Sequence, residues 1–197
     1  MKALLLACTF ACMFVLTGCH KYNNLVELNS VCDEKWANID AELQRRYDLI
    51  PNIVATVKAQ AKFEQDTLTK VIEARASATQ IKLSGDDFSD PAKMAAFQKA
   101  QGELSGALSR LLVTQEKYPE LQANQAFRDL RVTLEGTENR LLRARQEYNA
   151  AVKDYNAELN KVGGQVVNSI TGKPFKPRIF YTAEAGAATH TAPKVDL

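Results

Sequence analysis

Apolar residues recur at alternating spacings of three and four along most of this chain, the signature of helices that bury one face. The first stripe comprises Leu25, Leu28, Cys32, Trp36, Ile39 and Leu43, and the second Ile53, Val57, Ala61, Leu68, Val71 and Ala78. Between them stands Asp48-Leu49-Ile50-Pro51. Proline inside a helix deletes a hydrogen bond and clashes with the preceding turn, at a cost of about 3 kcal/mol, but is tolerated in a first turn. The sequence therefore predicts a turn or a kink at Pro51, with Asp48 placed to act as an N-cap. A third helix opens at Asp90-Pro91, carries Met94, Phe97, Leu104, Leu108 and Leu111, and stops at Tyr118-Pro119. A fourth starts near Asn124, carries Phe127, Leu130, Leu134, Leu141, Tyr148, Val152, Tyr155 and Leu159, and ends at Gly163-Gly164.

One helix from Tyr22 to Lys82 would be roughly 90 Å long, more than twice the next, whereas a break at Pro51 gives four comparable helices. The expectation is an all-α fold, a long antiparallel up-and-down four-helix bundle. The loop around Ser84-Gly85-Asp86-Asp87 is its longest connection and the expected mobile segment. Beyond Gly164 the pattern changes: Val166, Val167 and Ile170 suit a short helix, and Ile179-Phe180-Tyr181 are expected to pack on the bundle. The last dozen residues, rich in Ala and Thr, have the composition of a disordered tail.

The N-terminus carries a different signal. Lys2 precedes a short apolar run from Ala3 to Val15, followed by Leu16-Thr17-Gly18-Cys19. A basic start, a run too short to cross a bilayer and small residues before a cleavage point describe a signal peptide. The tetrad resembles the lipobox of bacterial lipoproteins. That resemblance implies a diacylglycerol thioether on Cys19, cleavage after Gly18 and acylation of the new amino group, giving two or three acyl chains and a lasting anchor. An uncleaved anchor would need about 20 apolar residues, and the polar His20-Lys21-Tyr22-Asn23-Asn24 begins too early for that. The expected organisation is thus a signal peptide over 1–18, a helical bundle over 19–164 and a C-terminal extension over 165–197. His20, rather than Asp, follows the cysteine, which in Gram-negative sorting favours the outer membrane over the inner.

Composition narrows the function classes. Charged residues make up 24%, apolar ones 46%, and the net charge is only +2, a globular composition with no basic field for nucleic acid. Without Cys8 and Cys12, which leave with the signal peptide, only the lipidated Cys19 and Cys32 remain, so no internal disulfide forms and Cys32 reads as a small core hydrophobe. The two histidines, His20 and His190, lie at opposite ends of the chain. The bundle therefore offers no Glu-x-x-His di-iron motif, histidine-ligated zinc site or histidine triad, and no metal or cofactor is expected. Gly102-Glu103-Leu104-Ser105-Gly106 has GxxxG spacing on a helix too polar to span a membrane, which points to close helix approach. Trp36, Tyr148 and Tyr155 fall at core spacing.

Some polar residues fall on the apolar seams: Arg46, Glu64 and Arg75 in line with the first two stripes, Gln101 and Gln115 on the third, and Glu138 and Arg145 on the fourth. Three readings stand open. They form an interhelical polar layer that fixes helix register, they drift into solvent, or they build a binding site inside the bundle. The third would allow a ligand-binding or hydrolytic protein that uses a Glu/Arg cluster as general acid and oxyanion stabiliser.

Specific strings carry a further resemblance: Tyr22-Asn23-Asn24-Leu25-Val26, Trp36, Arg45-Arg46-Tyr47-Asp48-Leu49-Ile50-Pro51-Asn52, Val57-Lys58, Glu64, Glu73-Ala74-Arg75-Ala76, Tyr118-Pro119-Glu120-Leu121-Gln122-Ala123-Asn124, Glu138-Asn139-Arg140, Ala144-Arg145, Tyr148-Asn149, Val152, Tyr155-Asn156 and Pro193-Lys194-Val195. In this order they resemble the LemA family of bacterial envelope proteins. The resemblance implies a membrane-tethered helical bundle outside the cytoplasm, with no established reaction and with envelope proteins as partners. The common form of the family carries an uncleaved transmembrane helix where this chain has its lipobox. The sequence-based expectation is a lipid-anchored interaction or scaffold module whose partners are the bilayer, through acylated Cys19, and an unidentified envelope protein.

Overall fold

The computed structural model describes residues 2–59, 64–172 and 175–182, with side chains from residue 20 onward except at position 115. Among these residues the regular structure is entirely helical: α1 (Lys2–Lys58), α2 (Gln65–Gln80), α3 (Pro91–Thr114), α4 (Pro119–Ala123), α5 (Gln125–Asn160) and α6 (Val162–Ile170), with 3₁₀ turns at Gly85–Ser89 and Gln115–Lys117. The Cys19 side chain, His190 and the last dozen residues lie outside the description.

Pro51 breaks nothing. α1 runs through it to Lys58, so the turn expected there is replaced by continuous helix, and α2 begins at Gln65. The proline still removes the N–H that would have bonded the Tyr47 carbonyl, four residues earlier. That carbonyl is satisfied from elsewhere, by Arg75 Nε of α2 at 2.9 Å. Asp48, expected as a cap, lies in mid-helix and accepts from Gln44 Nε2 at 2.8 Å.

Other boundaries follow the local chemistry. Asp90 Oδ1 accepts from the N–H groups of Ala92 and Lys93, capping α3 ahead of Pro91. Asn124 Oδ1 accepts from the Phe127 N–H at the start of α5. The Ser84–Asp87 connection is a 3₁₀ turn closed by a reciprocal Ser84/Asp87 capping box, with Phe88 buried beneath it and Lys93 paired to Asp87. α5 ends at Asn160, ahead of the glycines, and Gly163-Gly164 lie in the first turn of α6. Close approach occurs at Gly164, where an added Cβ would stand 2.4 Å from the Glu158 carbonyl oxygen; at Gly106, of the GxxxG pair, it would meet nothing within 4 Å.

The chain divides into two compact units: residues 1–39 with 143–180, and residues 40–142 with 181–197. The core of the first unit holds Leu25, Cys32, Trp36, Tyr148, Val152, Tyr155 and Leu159. Trp36 meets Tyr148 edge-on at 5.2 Å, the offset geometry aromatic pairs prefer. In the second unit Leu43, Ile50, Ile53, Leu68, Val71, Phe97, Leu104, Leu111, Phe127 and Leu134 are buried, and Tyr181 packs edge-on against Phe97 at 5.5 Å.

Candidate functional site

Arg46 is the most demanding group of the second unit, a guanidinium only 1% exposed. A buried cation must be matched by acceptors, and arginine can only donate. Its Nη1 bonds Ser105 Oγ at 3.0 Å and Glu138 Oε1 at 3.1 Å, and its Nη2 bonds Gln101 Oε1. These contacts fix the rest of the network. With Oε1 turned to Arg46, the Gln101 amide nitrogen donates to Tyr47 Oη at 2.6 Å, and the tyrosine hydroxyl donates to the Ala78 carbonyl at 3.2 Å. Burial pushes the Tyr47 hydroxyl above its ordinary value, which keeps it a donor. Arg46 Nε has no hydrogen-bond partner. The network therefore links residues of α1, α2, α3 and α5, and its carboxylate sits at the rim with 39% of its side chain exposed.

A second polar centre lies in the first unit. Arg178 Nε bonds Asn29 Oδ1 at 3.0 Å and Nη2 bonds Asp33 Oδ1 at 2.5 Å, while Asn156 accepts from the Arg178 N–H at 2.9 Å and donates to its carbonyl at 2.8 Å. Asn168 holds Phe175 in the same two-way fashion, at 2.5 and 3.1 Å. Tyr155 Oη donates to the Lys176 carbonyl at 3.0 Å. An amide side chain thus supplies the donor and acceptor that a neighbouring strand would offer, and the non-helical residues 175–180 are fastened to helices without a sheet. Burial raises the Tyr148 and Tyr155 hydroxyls to about 12 and the Cys32 thiol to about 11. Cys32 is thus a buried neutral thiol rather than a nucleophile.

At the end of the same unit, Glu158 Oε1 accepts from Lys21 Nζ at 2.8 Å and Oε2 from Lys161 Nζ at 2.7 Å. The two ammonium donors, Lys161 first, hold this carboxyl down at about 2.

Residues 35–197 fit the LemA family. The chain belongs to the LemA family. Among similar curated proteins are magnetosome proteins MamQ 1 and MamQ 2 of Paramagnetospirillum magneticum, each 25% identical over 175 residues, covering 81% of this chain. The matched region spans only 64% of the length of each. Magnetosome protein MamQ of Magnetospirillum gryphiswaldense is 25% identical over 203 residues, covering 92% of this chain and 72% of that protein.

In this LemA protein, seven polar residues fall on the apolar seams of the sequence. Arg46 and Glu138 are in direct contact, and Arg75 joins their network through the Tyr47 carbonyl. Glu64 stands exposed at the N-cap position of α2, 4.0 Å from Lys117. Arg145 is half-buried and belongs to the other unit. Gln101 is a central member of the network, whereas the Gln115 side chain lies outside the description. Sequence reasoning missed Tyr47, Asn156, Asn168 and Arg178. The pairs Tyr148-Asn149 and Tyr155-Asn156 repeat at a seven-residue interval, the one pattern that could have flagged an asparagine held beside a buried tyrosine. Among the described residues, no three His, Cys, Asp or Glu side chains converge as a metal site would require, and no helix is long and apolar enough to cross a membrane.

Proposed function

We propose that this LemA-family chain is a lipid-anchored helical interaction or scaffold module of the bacterial envelope, held at a membrane through Cys19. One observation carries it: the apolar run Ala3–Val15 leads into Leu16-Thr17-Gly18-Cys19, and only residues 20–34 separate that tetrad from the family-matching region 35–197. The relatives' printed link to magnetosomes fits a membrane-bound role, and their partners remain their own. The finer architecture, an antiparallel up-and-down four-helix bundle, belongs to the same proposal, as do delivery to the outer membrane and an envelope protein as partner. The use of Arg46, Gln101 and Ser105 on one another favours a structural layer over the ligand-binding or hydrolytic alternative. Cys19→Ser decides the anchor: the chain should stay full length, lose metabolic lipid label and leave the membrane fraction. Normal labelling of that variant refutes it.

A further inference from the structure

One face of α6 presents three large apolar side chains that stay exposed. α6 buries Gly164 and Val167, while Val162 is 79%, Val166 45% and Ile170 79% exposed. Spaced by four residues, these three side chains share one face of the helix. The helix contains no charged residue, and the one polar side chain beside the stripe, Ser169, turns its hydroxyl back to the Gln165 carbonyl at 2.9 Å.

Its surroundings name the occupant. The Lys21 side chain lies against Gly163, where an added Cβ would stand 3.6 Å from three of its methylene carbons, and its Nζ reaches Glu158 just before α6. Tyr22 packs on Phe175, just beyond α6, with ring centroids 5.6 Å apart. Position 163 follows Val162 and adjoins Ile170 around the helix. Lys21 stands two residues after Cys19, and two residues reach no further than about 7 Å even when fully extended. The apolar stripe therefore lies beside the point where the chain meets its anchor. Three branched side chains are far too few for a stable dimer, which buries about 800 Å² per partner, but a tether holds even a weak apolar contact at high effective concentration.

We infer that the Val162–Val166–Ile170 face of α6 rests on the lipid surface, as a short interfacial helix that orients the first unit against the bilayer. This inference rests on the tethering proposed above. The test uses the full chain expressed in a Gram-negative bacterium, with photoreactive p-benzoylphenylalanine in place of Val166, and in a second strain in place of Val132, which is 66% exposed in the other unit. After illumination, mass spectrometry of the membrane fraction should find phospholipid joined to position 166 and not to 132. Adding Val162→Gln and Ile170→Gln should cut that adduct about tenfold without changing the melting temperature. A membrane-bound chain whose position 166 yields no lipid adduct, an adduct to a second copy or another protein, or as much lipid as position 132 overturns the α6 contact and leaves the tether standing. An unsubstituted chain found in the soluble fraction overturns both.

Discussion

Arg46 shows how one side chain can set the terms for several helices. Its charge is buried, and the carboxylate it meets among the described residues, Glu138, is partly solvated, so the two partners are unequal. Glu138→Leu strands a cation in the core and should cost about 2 kcal/mol, below the 3–5 kcal/mol of a fully buried pair because water reaches the site. Adding Arg46→Leu to that variant removes the stranded charge, and the double variant should unfold at higher urea than Glu138→Leu alone. A double variant less stable than the single one would mean that the pair contributes packing rather than charge balance. The sequence placed Arg46, Gln101 and Glu138 on apolar seams because helical period is a local property. It could not show that the Tyr47 hydroxyl would complete the chain of donors, since that depends on which carbonyl α2 presents.

At the level of the helix, Pro51 is the instructive residue. Local rules place a helix break at an interior proline, because its ring removes one hydrogen bond and leaves a carbonyl bare. Here a guanidinium from another helix serves that carbonyl, and α1 continues for seven more residues to Lys58. The two residues should therefore be coupled. Arg75→Ala is expected to cost about 1 kcal/mol in the native chain and much less in a Pro51→Ala chain, where the restored N–H can satisfy Tyr47. Equal costs in a double-mutant cycle by urea unfolding would rule out the compensation. The same contrast separates the other boundaries. Asp90 and Asn124 cap helices with their own side chains and were legible in advance, whereas the end of α5 before Gly163-Gly164 depends on a close contact at Gly164 that only the folded chain creates.

For the molecule as a whole, charge and burial set the pH limits of stability. Glu158 is held near 2, below its ordinary 4.5, by Lys161 and Lys21, so its folded state binds a proton less readily than its unfolded state. Its contribution is full above pH 4.5 and is lost as pH falls toward 2. Tyr148, Tyr155 and Cys32 are raised, so their contribution is full below about pH 9 and lost as pH rises toward 11 to 12. Thermal unfolding across pH should show both losses, and Glu158→Gln should flatten the acid limb alone. By itself the sequence determined the helical class, the buried stripes, the family and the apolar run ahead of Cys19, because each is written in local period, local caps or contiguous strings. Only the tertiary structure decided that α1 passes through Pro51, that Arg46 and Arg178 anchor separate polar networks, and that α6 keeps an apolar face exposed. Those outcomes depend on donors and acceptors brought together from distant parts of the chain, and no local pattern records which of them will meet.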